Sequence, residues 1–165
     1  MSTDAKTVYQ SSLTATHAAE QQALQTMETQ LKGMDDFPAY AALLEKQCAV
    51  TREQLQRISQ ALEETGSSPN TIKEAVTSTV GTVGEMVHRV FPDTQLKNLF
   101  AGYGYQYYQI AAYTSLAVLA DLAGFSHHRQ WIEQSLREEE EGAREAQALI
   151  APITRVYFER ETAAG

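Results

Sequence analysis

Cysteine is nearly missing from this chain, which has one in 165 residues. Cys48 alone cannot close an internal disulfide, and no neighbour in the sequence would activate its thiol. It reads as buried packing in a reducing compartment. Alternating apolar and polar stretches, the mark of half-buried strands, are also lacking. The most apolar run, IAAYTSLAVLADLAGF, is too short for a membrane span and carries Asp121. The opening MSTDAKTVYQSSLTATHAAE has no apolar signal-peptide core, so the expected location is the cytoplasm. Positive charge is in short supply, with 13 Lys and Arg against 21 Asp and Glu for a net charge of -8. That balance argues against nucleic acid and anionic membranes as partners.

Helical spacing is what the chain has throughout, and the expected class is all-α in a single domain over residues 1–165. A first helix is expected over about 4–32, ending at Gly33 before the turn GMDDFP. A second follows from Pro38, which a first turn tolerates, to about Gly66. The punctuation TGSSPN precedes a shorter helix near 72–90, with Thr71 and Glu74 as its capping box and Ile72, Val76, Val80, Val83 and Val87 on one face. After FPD, Asp93 can cap a helix running to Gly124. Ser126 opens a last helix to about Ile150, with a bend at Pro152 and a polar tail, so the core spans about 4–157. Short turns make two antiparallel hairpins, and the long middle segment, with its short fifth helix, crosses between them. The expected order is up, down, crossover, up, down.

The heptad seams of these helices are apolar except near their middles. The first runs Leu13, His17, Glu20, Leu24, Met27; the third runs Leu99, Tyr103, Gln106, Ile110, Tyr113; the fourth runs Ile132, Leu136, Glu139, Ala143, Ala146. In the second, Gln47 and Val50 flank a stripe through Leu44, Cys48, Thr51 and Leu55. Four polar interruptions at similar depth imply one buried polar layer. Burying carboxylates costs several kcal/mol per ion unless a proton or counter-charge compensates, and bundles commonly keep such layers for metal.

The stretches THAAEQQAL, TREQLQRI, GYGYQYYQIAAYTSLAVLADLAG and SLREEEEGA, with FPD before the third long helix, carry a resemblance over about residues 8–160. The chain resembles the YciE/YciF-type ferritin-like family of bacterial stress-associated proteins, and within it the YciE branch. The resemblance implies a ferritin-like four-helix bundle with a candidate dinuclear metal centre, often dimeric. Position by position, Glu20, Glu138 and Glu139 match the pattern, as does Thr51. Where the family implies further ligands, this chain has Gln47, Val50, Gln106, Gln109, Gly142 and Ala143.

Two divalent ions would meet too few carboxylates here, because amide oxygens are weak ligands for iron or manganese. No cofactor is therefore expected. The alternative is a single iron, manganese or zinc ion held by His17, Glu20 and Glu139, as in a metal-binding protein or weak ferroxidase or peroxide-handling enzyme. Without metal, His17 is expected to pair with Glu20 as an imidazolium. The tyrosines of the third helix read as core and interface, and His127 and His128 as a surface cap rather than a metal clamp. The whole reads as a non-enzymatic structural or interaction protein with a degenerate metal site, stress-associated and homodimeric. A polar small-molecule ligand in the same layer is a third reading, with no ligand indicated.

Overall fold

The computed structural model describes residues 4–67 and 95–163. The expected helix near 72–90, its Thr71–Glu74 cap and the Asp93 cap lie outside these residues. Helix α1 spans Ala5–Leu31, capped by Asp4, whose carboxylate accepts from the Thr7 amide at 2.9 Å. Helix α2 spans Pro38–Glu64, with proline in its first turn. Helix α3 spans Gln95–Leu122 and α4 spans Arg129–Ala163, separated by a 3-10 turn at Ser126–His128. Gly66 and Gly124, at φ +80° and +81°, end α2 and α3 in the left-handed conformation that closes helix termini.

Two apolar clusters sit at opposite ends of the bundle. At one, Tyr9 and Leu13 of α1 meet Ile58 and Leu62 of α2, Leu116 and Ala120 of α3, and Ile132 of α4. At the other, Tyr40 and Leu43 of α2 meet Leu99 of α3 and Ile153 of α4. The starts of α2 and α3 therefore share one end, and the order is up, down, down, up rather than the alternating order expected. The reason is geometric: α3 begins at the end of the bundle where α2 began, so these two helices run in the same direction.

Helix α4 also departs from expectation. It runs through Pro152 to Ala163 instead of yielding to a tail. Proline removes one intrahelical hydrogen bond, but tertiary contacts hold the helix beyond it. Ile153 is 4% exposed, Arg160 donates to Asp36 at 2.8 Å, and its guanidinium lies 5.1 Å from the Phe37 ring centroid. Cys48 is buried, as its lack of activating neighbours suggested. Among the described residues, no helix is long and apolar enough to cross a membrane.

Candidate functional site

The four seams place their interruptions between the two apolar clusters. Glu20 enters from α1 with 1% exposure, and the Tyr113 hydroxyl of α3 donates to its Oε1 at 2.9 Å. Burial, then the charge of Glu139, pushes the Glu20 carboxyl well above its ordinary range, against the pull of the Tyr113 hydrogen bond. Glu139 enters from α4 at 7% exposure, and its carboxyl is raised to about 7 by burial and by Glu138, with Gln54 opposing. Both carboxyls favour the protonated form because water is excluded and each sees negative charge nearby.

Amides fill much of the remaining layer. Gln109 is fully buried and Gln106 nearly so. Gly142 of α4 lies against Gln106: a Cβ added there would overlap the Gln106 amide nitrogen and come within 3.3 Å of Nε2 of Gln47. The absent side chain at 142 is thus replaced by amides reaching across from α2 and α3. Gln47 Nε2, Gln106 Oε1, both polar atoms of Gln109, Tyr105 Oη and His17 Nδ1 find no hydrogen-bond partner among the described protein groups. Val50 is half-buried and offers no donor or acceptor from its side chain.

His17 does not pair with Glu20. Burial lowers its pKa, so it is a neutral ring, and Tyr113 takes the place expected for an imidazolium. The difference follows from desolvation: without a hydrogen-bonded counter-ion, a half-buried imidazole sheds its proton. Sequence reasoning also missed the neighbours on α2. Gln54 is fully buried and donates to Glu138 Oε2 at 3.2 Å. Arg57 grips both oxygens of Glu138 at 2.7 and 3.0 Å and donates to Ser135 Oγ at 3.1 Å. Gln54 follows Gln47 by seven residues, so heptad spacing carried a signal for it. Arg57 had none, because its partner lies 81 residues away.

This donor set does not fit a pair of cations. Glu20 and Glu139 carry at most two negative charges against the four positive charges of two divalent ions, the neutral amides add none, and Arg57 already engages Glu138. Nor do His17, Glu20 and Glu139 converge as ligands of one ion. Among the described residues, the trio of His, Cys, Asp or Glu whose ligand atoms all lie within 4.8 Å is Glu64, His127 and His128. That trio corrects another expectation. The histidines precede α4, and His128 is 2% exposed, with Nδ1 2.9 Å from Tyr9 Oη and Nε2 2.8 Å from Glu64. Burial against Tyr9 and Phe125 makes it a core side chain rather than a surface cap.

A crystal structure of a protein from Xanthomonas campestris pv. campestris is similar to this chain over 96% of its length and 98% of the other, with a TM-score of 0.80 at 22% identity. That likeness carries the helical bundle. A family model described as "Domain of unknown function (DUF892)" matches residues 4–159. Together with the bundle and its interrupted seams, that match makes the chain a member of DUF892, the YciF-like ferritin-like family.

Proposed function

We propose that this chain is a non-enzymatic member of the family, from its YciE branch. In this reading it is a cytoplasmic, stress-associated structural or interaction protein that works as a homodimer without a dinuclear metal centre. The observation that carries the reading is the packing of Gln106 and Gln47 against Gly142, with Glu20 accepting a hydrogen bond from Tyr113. Space beside Gly142 is given over to neutral amides, and burial favours the neutral form of Glu20 and Glu139. Tyr107, Tyr108, Val118 and Leu122 support the dimer: each is at least half exposed, and helical geometry places them within about 100° of arc on α3. The competing reading, one ion at His17, Glu20 and Glu139, is disfavoured by a ligand set that does not converge.

Elemental analysis of protein produced in iron- and manganese-supplemented medium, without chelators, tests the proposal. Far less than one iron or manganese per chain is expected, with no ferroxidase activity above buffer. Two such ions per chain, lost in Glu20→Gln and Glu139→Gln, would overturn it. Sedimentation at micromolar concentration tests the dimer, and a monomer would remove that part of the reading.

A further inference from the structure

The Glu64, His127 and His128 trio lies at the end of the bundle marked by Tyr9 and Leu62, about three helical turns before Glu139. Gly124 reverses the chain after α3, and the Phe125 amide bonds back to the Ala120 carbonyl at 2.8 Å. The following 3-10 turn sets two consecutive imidazoles edge to face, with centroids 4.4 Å apart. Both aim Nε2 at one oxygen, Glu64 Oε2, at 3.1 Å from His127 and 2.8 Å from His128. Two donors serving a carboxylate have two oxygens available. Convergence of both on one oxygen gathers three potential ligand atoms within 4.8 Å of one another.

We propose that Glu64, His127 and His128 form a binding site for one zinc-class divalent cation, separate from the central layer. Two imidazoles and one carboxylate are a common zinc ligand set, and water completes the tetrahedron. With bonds of about 2.0–2.2 Å, tetrahedral ligand atoms stand roughly 3.3 Å apart. The present 2.8 and 3.1 Å separations need only small outward shifts. Glu64 is free to make them, since its side chain is 54% exposed, as His127 is at 64%. A cavity of about 210 Å³, lined by the trio with Arg57, Gln60, Ala61 and Trp131, admits the ion and its water. Arg57, the cation on this wall, is already held by Glu138.

The second layer is in place as well. His128 is locked by Tyr9 at 2.9 Å and stacks on Phe125 at 5.4 Å between centroids. When Nε2 binds metal, Nδ1 carries the proton and donates to Tyr9 Oη, the outer hydrogen bond that fixes metal-bound imidazoles. The ligands come from α2 and from the α3–α4 turn, so a bound ion ties one hairpin to the other. It therefore raises thermal stability by mass action.

Zinc chloride titrated into the full chain, by calorimetry and against a chromophoric chelator, tests the site. One zinc per chain and a raised Tm are expected. His127→Ala and Glu64→Gln, both at exposed side chains, should each weaken affinity at least tenfold, while Glu139→Gln in the central layer leaves it unchanged. Tyr9→Phe, if folded, should lower affinity about 10-fold or more through the outer hydrogen bond. No saturable zinc binding up to about 100 μM, affinity unchanged in both His127→Ala and Glu64→Gln, or loss confined to Glu139→Gln would each overturn the proposal. Zinc lost in His127→Ala is also distinguishable from an iron or manganese pair lost in Glu20→Gln.

Discussion

Gly142 and the Gln106 amide occupy one volume between them: a methyl on the first would overlap the nitrogen of the second. Two features of the layer meet here, a position on α4 without a side chain and a neutral amide reaching in from α3. Gly142→Ala gains about 1 kcal/mol of helix propensity but must displace the amide, at about 1–3 kcal/mol for overpacking. The displaced group is the flexible end of a glutamine, so the net change should be small. The coupling is the informative quantity. Combined with Gln106→Ala, the same substitution should be better tolerated by about 1 kcal/mol, read from a urea double-mutant cycle. Additivity within about 0.3 kcal/mol would show that the two positions do not share space.

Glu139 should make the protein more stable in mild acid than in mild base. Its carboxyl stands at about 7 when folded against an ordinary 4.5, so the native state binds the extra proton between those values. The benefit is complete below about pH 4.5 and is lost as pH rises through 7, for a total of about 3 kcal/mol. Glu20 acts in the same direction, while the lowered pKa of His17 acts in the opposite one below its ordinary 6.5. Comparing Glu139→Gln with wild type at pH 5, 6, 7 and 8 reads this contribution together with the part of the Glu20 shift that the Glu139 charge causes. The variant's relative stability should grow with pH, and a difference independent of pH would refute this.

Ile153→Ala should cost about 2–4 kcal/mol, the range for a buried isoleucine in a close-packed cluster. The side chain is 4% exposed among Met34, Phe37 and Leu99. A cost below about 0.5 kcal/mol would return the segment after Pro152 to the status of a tail.

That segment shows where sequence reading stops. Proline is a local signal, and the contacts that overrule it come from Asp36 and Phe37, over 110 residues earlier in the chain. The seams were legible because helical spacing alone turns Glu20, Gln106, Gln109 and Glu139 inward, and all four are buried. Which inward groups meet is a different matter. Tyr113 rather than His17 reaches Glu20 because α3, 93 residues on, lies beside it at that height. His128 was misread for the same reason, since its partners Tyr9 and Glu64 are 119 and 64 residues away. Helix direction was misjudged because periodicity is unchanged when a helix is reversed.

Restoring acid to the layer should harm the metal-free protein. Gln109 is fully buried on the helix that also carries Tyr113, and its neutral amide adds no charge to the layer. Gln109→Glu puts a third carboxyl into a space where two already favour protonation. An uncompensated buried charge costs several kcal/mol, but the new group can take up a proton, so a loss of about 2–4 kcal/mol is expected at pH 7.5. At pH 5 the loss should shrink, because protonation then costs little. Gln106→Glu should behave similarly, with Gly142 leaving room for the side chain. Urea denaturation at both pH values in the presence of chelator reads the effect. If either variant were more stable than wild type at pH 7.5 under those conditions, the central layer would have spare positive charge, and the amides would need another explanation.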